Sequence, residues 1–419
     1  MTALLCRLAP FNYAWFVVIA GNLVVFACLG LGRFAFGMLL PSMGQALSLS
    51  YSEMGLVSTG NFIGYLGAVI LSPLLIKRFG ERYTIVSGLL LVAISMGMIC
   101  LGKQFMWLLF WYVLTGMGSG AANIPMMVLI AHWFESSHRG RASGFIAIGS
   151  GFAIVLSGWM IPLINHSVGT EGWRISWSVL SGITLVVALL VGLLLRNRPE
   201  ELGLRALGQG DETEVPAANF TPKTTSTRWL IVKLGLLYLF FGASYMIYGT
   251  FIVTTLVQER GVPEAVAGQF WSWVGGLSLL SGPVFGTLSD KWGARVALLA
   301  VFLLHFSAYV LVALHLGELS LYLSVVCFGI AAWSVPTIMG AAIPGYVNAA
   351  KVAATLSLVT LFFAFGQVLG PATAGVMADL VGSFDVSFGF AAGLAALAVL
   401  TALTLPVSNQ SMDKGSGIL

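Results

Sequence analysis

Arg33 is a charged side chain in a stretch of sequence that is otherwise apolar enough to lie in a lipid bilayer, GNLVVFACLGLGRFAFGMLL. A charge at membrane depth is costly and usually faces a protein interior or a water-filled path. The other apolar segments contain no carboxylate that could pair with it. The pattern therefore predicts that Arg33 binds an anionic cargo. The alternative is that Arg33 extends to the outer headgroups from a long first helix.

His305 is a second residue whose type suggests chemistry, because histidine titrates near neutral pH. It is a candidate for coupling to protons, and the alternative is packing or hydrogen bonding between helices. The sequence contains no Ser–His–Asp set, paired carboxylates or nucleotide-binding loop, and its four cysteines lack metal-ligand spacing. We therefore expect no enzyme activity, no cofactor and no metal site.

The composition predicts an all-α membrane protein. Hydrophobic residues make up 58% of the chain and charged residues 9%, whereas soluble domains carry about 25% charged residues. The apolar stretches are continuous and of helix length, unlike the short alternating strands of a membrane barrel. The first stretch is too long for a cleavable signal peptide and should remain as a helix. The lipid bilayer is thus a partner, and we expect no nucleic acid.

Twelve apolar segments are expected to cross the membrane. They lie near 13–40, 54–76, 83–102, 106–131, 142–165, 174–196, 229–257, 265–288, 296–316, 318–343, 351–377 and 384–406. Twelve spans place both termini on one side, and 16 of the 20 Lys and Arg residues then fall on that side against 3 on the other. Because basic residues favour the cytoplasmic side, we expect a multi-pass protein of the cell (inner) membrane with cytoplasmic termini.

The segments divide into two halves that look like a parallel repeat. We expect an N-terminal six-helix bundle at 1–196, a polar cytoplasmic linker at 197–228 and a C-terminal six-helix bundle at 229–419. KRFGER after the second segment matches DKWGAR after the eighth, so that Gly80 and Gly293 are offset by 213 residues. Gly158 and Gly370 are offset by 212. Parallel repeats around a midplane site are typical of one class of secondary transporters.

The loop GTLSDKWGAR between the eighth and ninth segments resembles the cytoplasmic loop motif of the major facilitator superfamily. In that family the aspartate of this motif lies at a helix terminus and helps to close the cytoplasmic side. A carboxylate is stabilised at a helix N-terminus, and its pairing with a guanidinium can break and reform. The alternative is an ordinary tight turn. The resemblance implies a cytoplasmic gate made of Gly286, Asp290, Lys291, Gly293 and Arg295.

The resemblance covers nearly the whole chain but departs from the family pattern in the first half. There, Pro73 and Lys77 replace the first glycine and the acid of the loop motif. In the fourth segment, Tyr112 stands where the family has an arginine linked to proton coupling. The stretches HWFESSHRGRASGFIAIGSG and RNRPEELGL are similar to bacterial relatives of monocarboxylate and oxalate–formate porters, and LGLGRFAFGMLLPSM to a large group of bacterial facilitators.

The resemblance also implies that the first, fourth, seventh and tenth segments line a central cavity. Each carries polar or amphipathic residues at helical spacing, such as Asn22, Phe26 and Arg33 in the first. Their polar groups need partners, which cargo or a neighbouring helix can supply. The candidate cargo contacts are Arg33, Asn22, Tyr112, Asn123, Tyr238, Tyr245, Tyr248, Trp333 and Ser334.

These observations predict a secondary transporter that moves a small organic anion, a monocarboxylate, by alternating access. Protons are a second candidate cargo, and we expect a monomer. One alternative is an exporter of drugs or other amphipaths from the same superfamily, which 15 Met and 12% aromatic residues would suit. The other is a transporter-like sensor that does not transport.

Overall fold

The computed structural model describes residues 12–208, 227–347 and 349–406, and these residues form twelve helical rods, as the sequence predicts. The rods are α1 (Ala14–Leu47), α2 (51–79), α3 (81–99), α4 (Phe105–Trp133), α5 (Ser136–Val168), α6 (Gly172–Leu194), α7 (Thr227–Thr254, continued as the π-helix Thr255–Glu259), α8 (Glu264–Trp292), α9 (Ala294–Ala313), α10 (Glu318–Ala331 and Ser334–Tyr346), α11 (Ala349–Val381) and α12 (Asp385–Leu403). Most of the predicted linker 197–228 lies outside the described residues, as does Cys6.

The surface of the rods is apolar, as lipid contact requires. Nine continuous stretches of the described chain are long and apolar enough to cross a membrane. Two of these stretches, Tyr51–Ile99 and His138–Leu194, contain two rods each, so the nine stretches account for eleven rods. The twelfth rod is α8. Large apolar side chains such as Ile70 and Leu380 are exposed to 76% and 82%. An exposed apolar surface of this extent identifies a protein embedded in a bilayer.

Two glycine turns confirm the internal repeat. Gly80 joins α2 to α3 with φ 79° and ψ 167°, and Gly293 joins α8 to α9 with φ 87° and ψ 156°. Residues with a Cβ rarely adopt a positive φ of this kind, so both turns favour glycine. The two copies of the sequence motif thus share one backbone conformation.

The described chain divides into two compact units. The first unit contains Met1–Leu49, Gly60–Val215 and Pro263–Ser272, and the second contains Ser50–Thr59, Pro216–Val262 and Trp273–Leu419. The first turns of α2 therefore belong to the second unit, and the first turns of α8 belong to the first unit.

Among the helix crossings that depend on glycine, one in each unit has a counterpart in the other unit. In the first unit, α5 meets the start of α8 so closely that a methyl group on Gly268 would overlap the carbonyl oxygen of Gly158. In the second unit, the start of α2 meets α11, and a methyl group on Gly55 would overlap the carbonyl oxygen of Pro371. Gly55 and Gly268 have the same sequence offset as the two glycine turns, so the crossings are counterparts in the repeat.

Candidate functional site

The helix that carries Arg33 changes from α-helical to π-helical hydrogen bonding over Phe26–Phe34. A π-helical stretch has a wider turn than an α-helix and is often found at functional sites. The wider turn shifts the side chains that follow it, so Arg33 does not keep the α-helical register with Asn22 and Phe26 on which the predicted common face depends. Asn22 instead donates a hydrogen bond to the carbonyl of Phe145 on α5, at 2.8 Å.

Two hydroxyl groups of α4 fix the π-helical stretch in place. The Tyr112 hydroxyl donates to the carbonyl oxygen of Arg33 at 3.1 Å, and the Ser119 hydroxyl donates to the carbonyl oxygen of Cys28 at 2.7 Å. The Tyr112 ring also stacks on Phe36, with 4.6 Å between the ring centroids. The spacing that selected Tyr112 as a cargo contact therefore reflects, in this structure, a helix–helix contact that positions Arg33.

The Arg33 guanidinium lies against two aromatic rings of α2. Its central carbon is 4.4 Å from the centroid of the Phe62 ring and 4.6 Å from that of Tyr65. Cation–π contacts of this kind contribute about 0.5–2 kcal/mol each, with the higher values where water is excluded. The rings hold the flat guanidinium in one plane, and a fixed plane favours recognition of an equally flat group such as a carboxylate.

The hydrogen bonds of Arg33 leave one nitrogen of its guanidinium without a partner among the described residues. Nε donates to the side-chain oxygen of Asn61 at 3.1 Å, and the amide nitrogen of Asn61 donates to the Tyr112 carbonyl at 3.3 Å. Nη2 is buried and has no hydrogen-bond partner in the described part of the chain. None of the ion pairs found in that part includes Arg33. A buried cationic N–H without an acceptor is a strong site for an anion.

Asn123 of α4 extends this cluster. Its amide nitrogen donates to the Tyr65 hydroxyl at 2.9 Å, and the ring of the same tyrosine contacts Arg33. The residues Arg33, Tyr65 and Asn123 are half-buried. We define the arginine site as Arg33, Asn61, Phe62, Tyr65, Tyr112 and Asn123, all within the first unit.

Three members of the arginine site, all on α2, were missed from the sequence. Asn61, Phe62 and Tyr65 lie in LVSTGNFIGYLG, where Asn61 is an amide in an otherwise apolar and small-residue span. A buried amide in a membrane helix needs a partner. The need of the Asn61 amide for a partner is thus a sequence signal that points to the second segment. The family resemblance does not place this segment at the central cavity.

The predicted tyrosines of α7 are buried among aromatic side chains of the second unit. Tyr238, Tyr245 and Tyr248 are exposed to 5%, 3% and 0%. Tyr238 stacks on Phe363 at a centroid distance of 4.7 Å, and Tyr248 stacks on Phe328 at 3.9 Å. The Tyr248 hydroxyl lies 3.0 Å from the Ser324 hydroxyl. We refer to these side chains, with Phe241, His305 and Tyr309, as the aromatic cluster.

His305 of α9 lies inside the aromatic cluster and not on the periphery of its bundle. It is 1% exposed, and the Phe241 and Phe328 rings approach it edge-on. Its Nδ1 is 3.0 Å from the Val301 carbonyl one turn earlier. Because a carbonyl can only accept, Nδ1 carries the proton, and the buried Nε2 is left without a partner among the described residues.

Comparison with known proteins identifies the family. A family model described as "Uncharacterised MFS-type transporter YbfB" matches residues 25–403, most of the chain. The chain belongs to the major facilitator superfamily. It is similar to a hexuronate transporter of Bacillus subtilis, with 25% identity over 89% of this chain and 90% of the relative. It is also similar to the human monocarboxylate transporter 2, with 24% identity over 82% of this chain and 75% of the relative.

Solved structures of other transporters confirm the fold. A bacterial homologue of the human lysosomal transporter Spinster superimposes on this major facilitator with a TM-score of 0.74 and 16% sequence identity, over 97% of this chain and 99% of that one. The predicted all-α membrane fold with two six-helix repeats is therefore correct.

In this major facilitator, α10 is interrupted at its middle, which the sequence pattern did not predict. The break lies between Ala331 and Ser334. The Trp333 backbone N–H donates to the Ser281 hydroxyl on α8 at 3.1 Å, and the Ser334 hydroxyl donates to the Ser281 carbonyl at 3.3 Å. The two predicted residues of α10 therefore come together with Ser281 at a helix break inside the second unit.

The predicted cytoplasmic gate lies at the turn between α8 and α9. Asp290 is in the last turn of α8 and not at a helix N-terminus, so the dipole of its own helix does not stabilise the carboxylate. Asp290 is exposed, and the ion pairs found among the described residues do not include it. Gly293 shapes the turn through its positive φ. Lys291 and Arg295 flank this turn, and Gly286 faces Thr337 of α10.

Proposed function

We propose that this major facilitator transports a small organic anion, a monocarboxylate, and that Arg33 binds its carboxylate. The observation that carries the proposal is the state of the guanidinium. The guanidinium lies against the rings of Phe62 and Tyr65, and its Nε donates a hydrogen bond to the side-chain oxygen of Asn61. Its Nη2 is buried and has no acceptor among the described residues. A carboxylate that docks there gains charge-assisted hydrogen bonds and relieves the desolvation of the cation.

The names of the relatives support an acidic cargo. A hexuronate and a monocarboxylate each carry a carboxylate group, and the chain aligns with both transporters over most of its length. The shared feature of the two names is the carboxylate and not the remainder of the molecule. The positive charge of Arg33 in the arginine site is complementary to that carboxylate.

Transport would proceed by alternating access in the cytoplasmic membrane, with the chain acting as a monomer and both termini in the cytoplasm. The excess of Lys and Arg on one side of the twelve spans supports this orientation. Asp290 and its neighbours would form part of the cytoplasmic gate. A proton carried together with a monocarboxylate would make each transfer electrically neutral, so a pH gradient would drive uptake.

Uptake into proteoliposomes tests the proposal. Labelled short-chain acids are offered to wild type and to Arg33→Ala, with and without an inward-acid pH gradient. We expect wild type to show saturable uptake of at least one acid, and this uptake should be faster with the inward-acid gradient. Uptake by Arg33→Ala should be about 100-fold lower. Uptake that is independent of Arg33 would show that the residue is a membrane anchor. Failure to transport any acid, together with transport of an amphipathic cation, would favour the exporter.

A further inference from the structure

The amide of Asn123 has one end without a partner. Its nitrogen donates to the Tyr65 hydroxyl, whereas its oxygen is buried and has no hydrogen-bond partner among the described residues. Polar atoms in this situation are uncommon in folded proteins, and they are generally met by water or a ligand. Asn123 as a whole is only half-buried.

Tyr65 connects this open amide to Arg33. The ring of Tyr65 contacts the guanidinium, and the hydroxyl of the same side chain contacts the Asn123 amide. Arg33 and Asn123 therefore both lie against one tyrosine side chain. A molecule of a few carbon atoms can place a carboxylate on Arg33 and a second polar group on Asn123.

The second polar group is best met by a hydroxyl. An amide offers an acceptor at one end and donors at the other, and a hydroxyl can both donate and accept. It therefore satisfies either end of the Asn123 amide. A methyl or methylene group in the same place would bury the amide end unpaired, which is costly.

We propose that Asn123 is a specificity-determining residue that selects organic acids carrying a hydroxyl group. The inference rests on the proposed function, because it takes Arg33 as the carboxylate site. Arg33 provides affinity for any small carboxylate. Asn123 discriminates between acids of the same carbon skeleton, since a site built to hydrogen-bond a hydroxyl rejects the analogue that lacks it.

Binding of matched acid pairs to the full-length purified protein tests this. The pairs are lactate with propionate, and gluconate with hexanoate, measured for wild type, Asn123→Leu, Asn123→Ser and Arg33→Gln. We expect wild type to bind the hydroxylated acid of at least one pair about tenfold more tightly. Asn123→Leu should lose this preference while still binding propionate, which also shows that the variant is folded. Asn123→Ser should keep part of the preference.

Gln104→Leu is the matched control, because Gln104 is an exposed amide at the start of the same helix and makes no capping hydrogen bond. This variant should keep the preference of wild type. Equal affinity for both members of each pair in wild type, with binding still dependent on Arg33, would overturn the role of Asn123 and leave the proposed function intact. Absence of binding by all four acids, or binding that Arg33→Gln does not change, would overturn both.

Discussion

The two units place polar and aromatic side chains together in different ways. In the first unit, Arg33 and Asn123 are half-buried, and each has a polar atom without a partner among the described residues. In the second unit, Tyr248 is fully buried and shares a hydrogen bond with Ser324. His305 also has a ring nitrogen without a partner, but only 1% of the residue is exposed.

The difference suits the arginine site to ligand binding and the aromatic cluster to packing. A ligand can supply the missing partner of a polar atom more readily in a half-buried residue, such as Arg33 or Asn123, than in a fully buried one, such as His305. In the aromatic cluster the rings stack on one another, which stabilises the unit by about 0.5–1.5 kcal/mol per pair beyond the burial of their area. We therefore expect substitutions at the arginine site to change acid affinity, and substitutions in the aromatic cluster to change stability.

The largest effect is expected at Arg33. Arg33→Gln removes the charge, and acid affinity should fall by about 100-fold or more, because an interaction with a desolvated charge is worth at least 2–3 kcal/mol. Arg33→Lys keeps the charge but lacks the flat guanidinium that lies against the two rings, so it should recover only part of the affinity. Titration calorimetry with the transported acid measures both.

Arg174 provides the matched control for Arg33. Its guanidinium also contacts an aromatic ring, that of Trp173 at 4.2 Å, but it forms an ion pair with Glu171 at 2.6 Å. Arg174→Gln should leave acid affinity unchanged because that cation already has its carboxylate. Equal losses in Arg33→Gln and Arg174→Gln would remove the distinction between paired and unpaired arginines.

Asn61→Asp should convert the open arginine into a paired one. The new carboxylate would take the place of the amide that Nε now contacts at 3.1 Å. An internal ion pair competes with the cargo, and we expect acid affinity to fall by about tenfold or more. Asn61→Leu, which introduces no charge, should have a smaller effect. If Asn61→Asp binds acids as tightly as wild type, the carboxylate of the cargo does not occupy Arg33.

The sequence was sufficient for the fold but not for the composition of the site. Segment length, hydrophobicity and charge bias led to twelve helices and to the repeat, since these depend on the bilayer acting on whole segments. Arg33 was identified because a charge in an apolar segment is visible without a structure. The π-helical stretch around Arg33 was not identified from the sequence. The hydrogen-bond register within a helix depends on contacts with other helices, such as those that Tyr112 and Ser119 of α4 make here.

The α7 tyrosines show why spacing alone cannot assign roles. Tyr238, Tyr245 and Tyr248 share helical spacing with the residues of a cargo-lining face, yet their rings pack within the second unit. The same periodicity is produced by any helix face that meets its neighbours. Asn61 illustrates the opposite case, since it lies in a segment from which no cargo contact was predicted and still contacts Arg33.

Tyr112→Phe should have a moderate effect on acid affinity. The variant keeps the ring that stacks on Phe36 and removes the hydroxyl that donates to the Arg33 carbonyl. Losing one such hydrogen bond loosens the π-helical stretch, and we expect about a fivefold weaker affinity. Tyr309→Phe, which removes the hydroxyl of a buried tyrosine in the aromatic cluster, should leave affinity unchanged. Equal behaviour of the two variants in the binding assay would contradict a positioning role for Tyr112.

The smallest effect on transport is expected at His305. Its Nδ1 bonds a carbonyl of its own helix, and its Nε2 is sealed among Phe241 and Phe328, so neither cargo nor water has access to the ring. Replacing a buried polar group that lacks a full set of partners by an apolar one is close to neutral for stability. His305→Leu should therefore keep acid uptake within about twofold of wild type and keep its stimulation by an inward-acid gradient. The thermal unfolding midpoint in detergent should change little. Loss of gradient-driven uptake with normal acid binding would instead assign the coupling proton to His305, and the aromatic cluster of the second unit would then carry chemistry as well as packing.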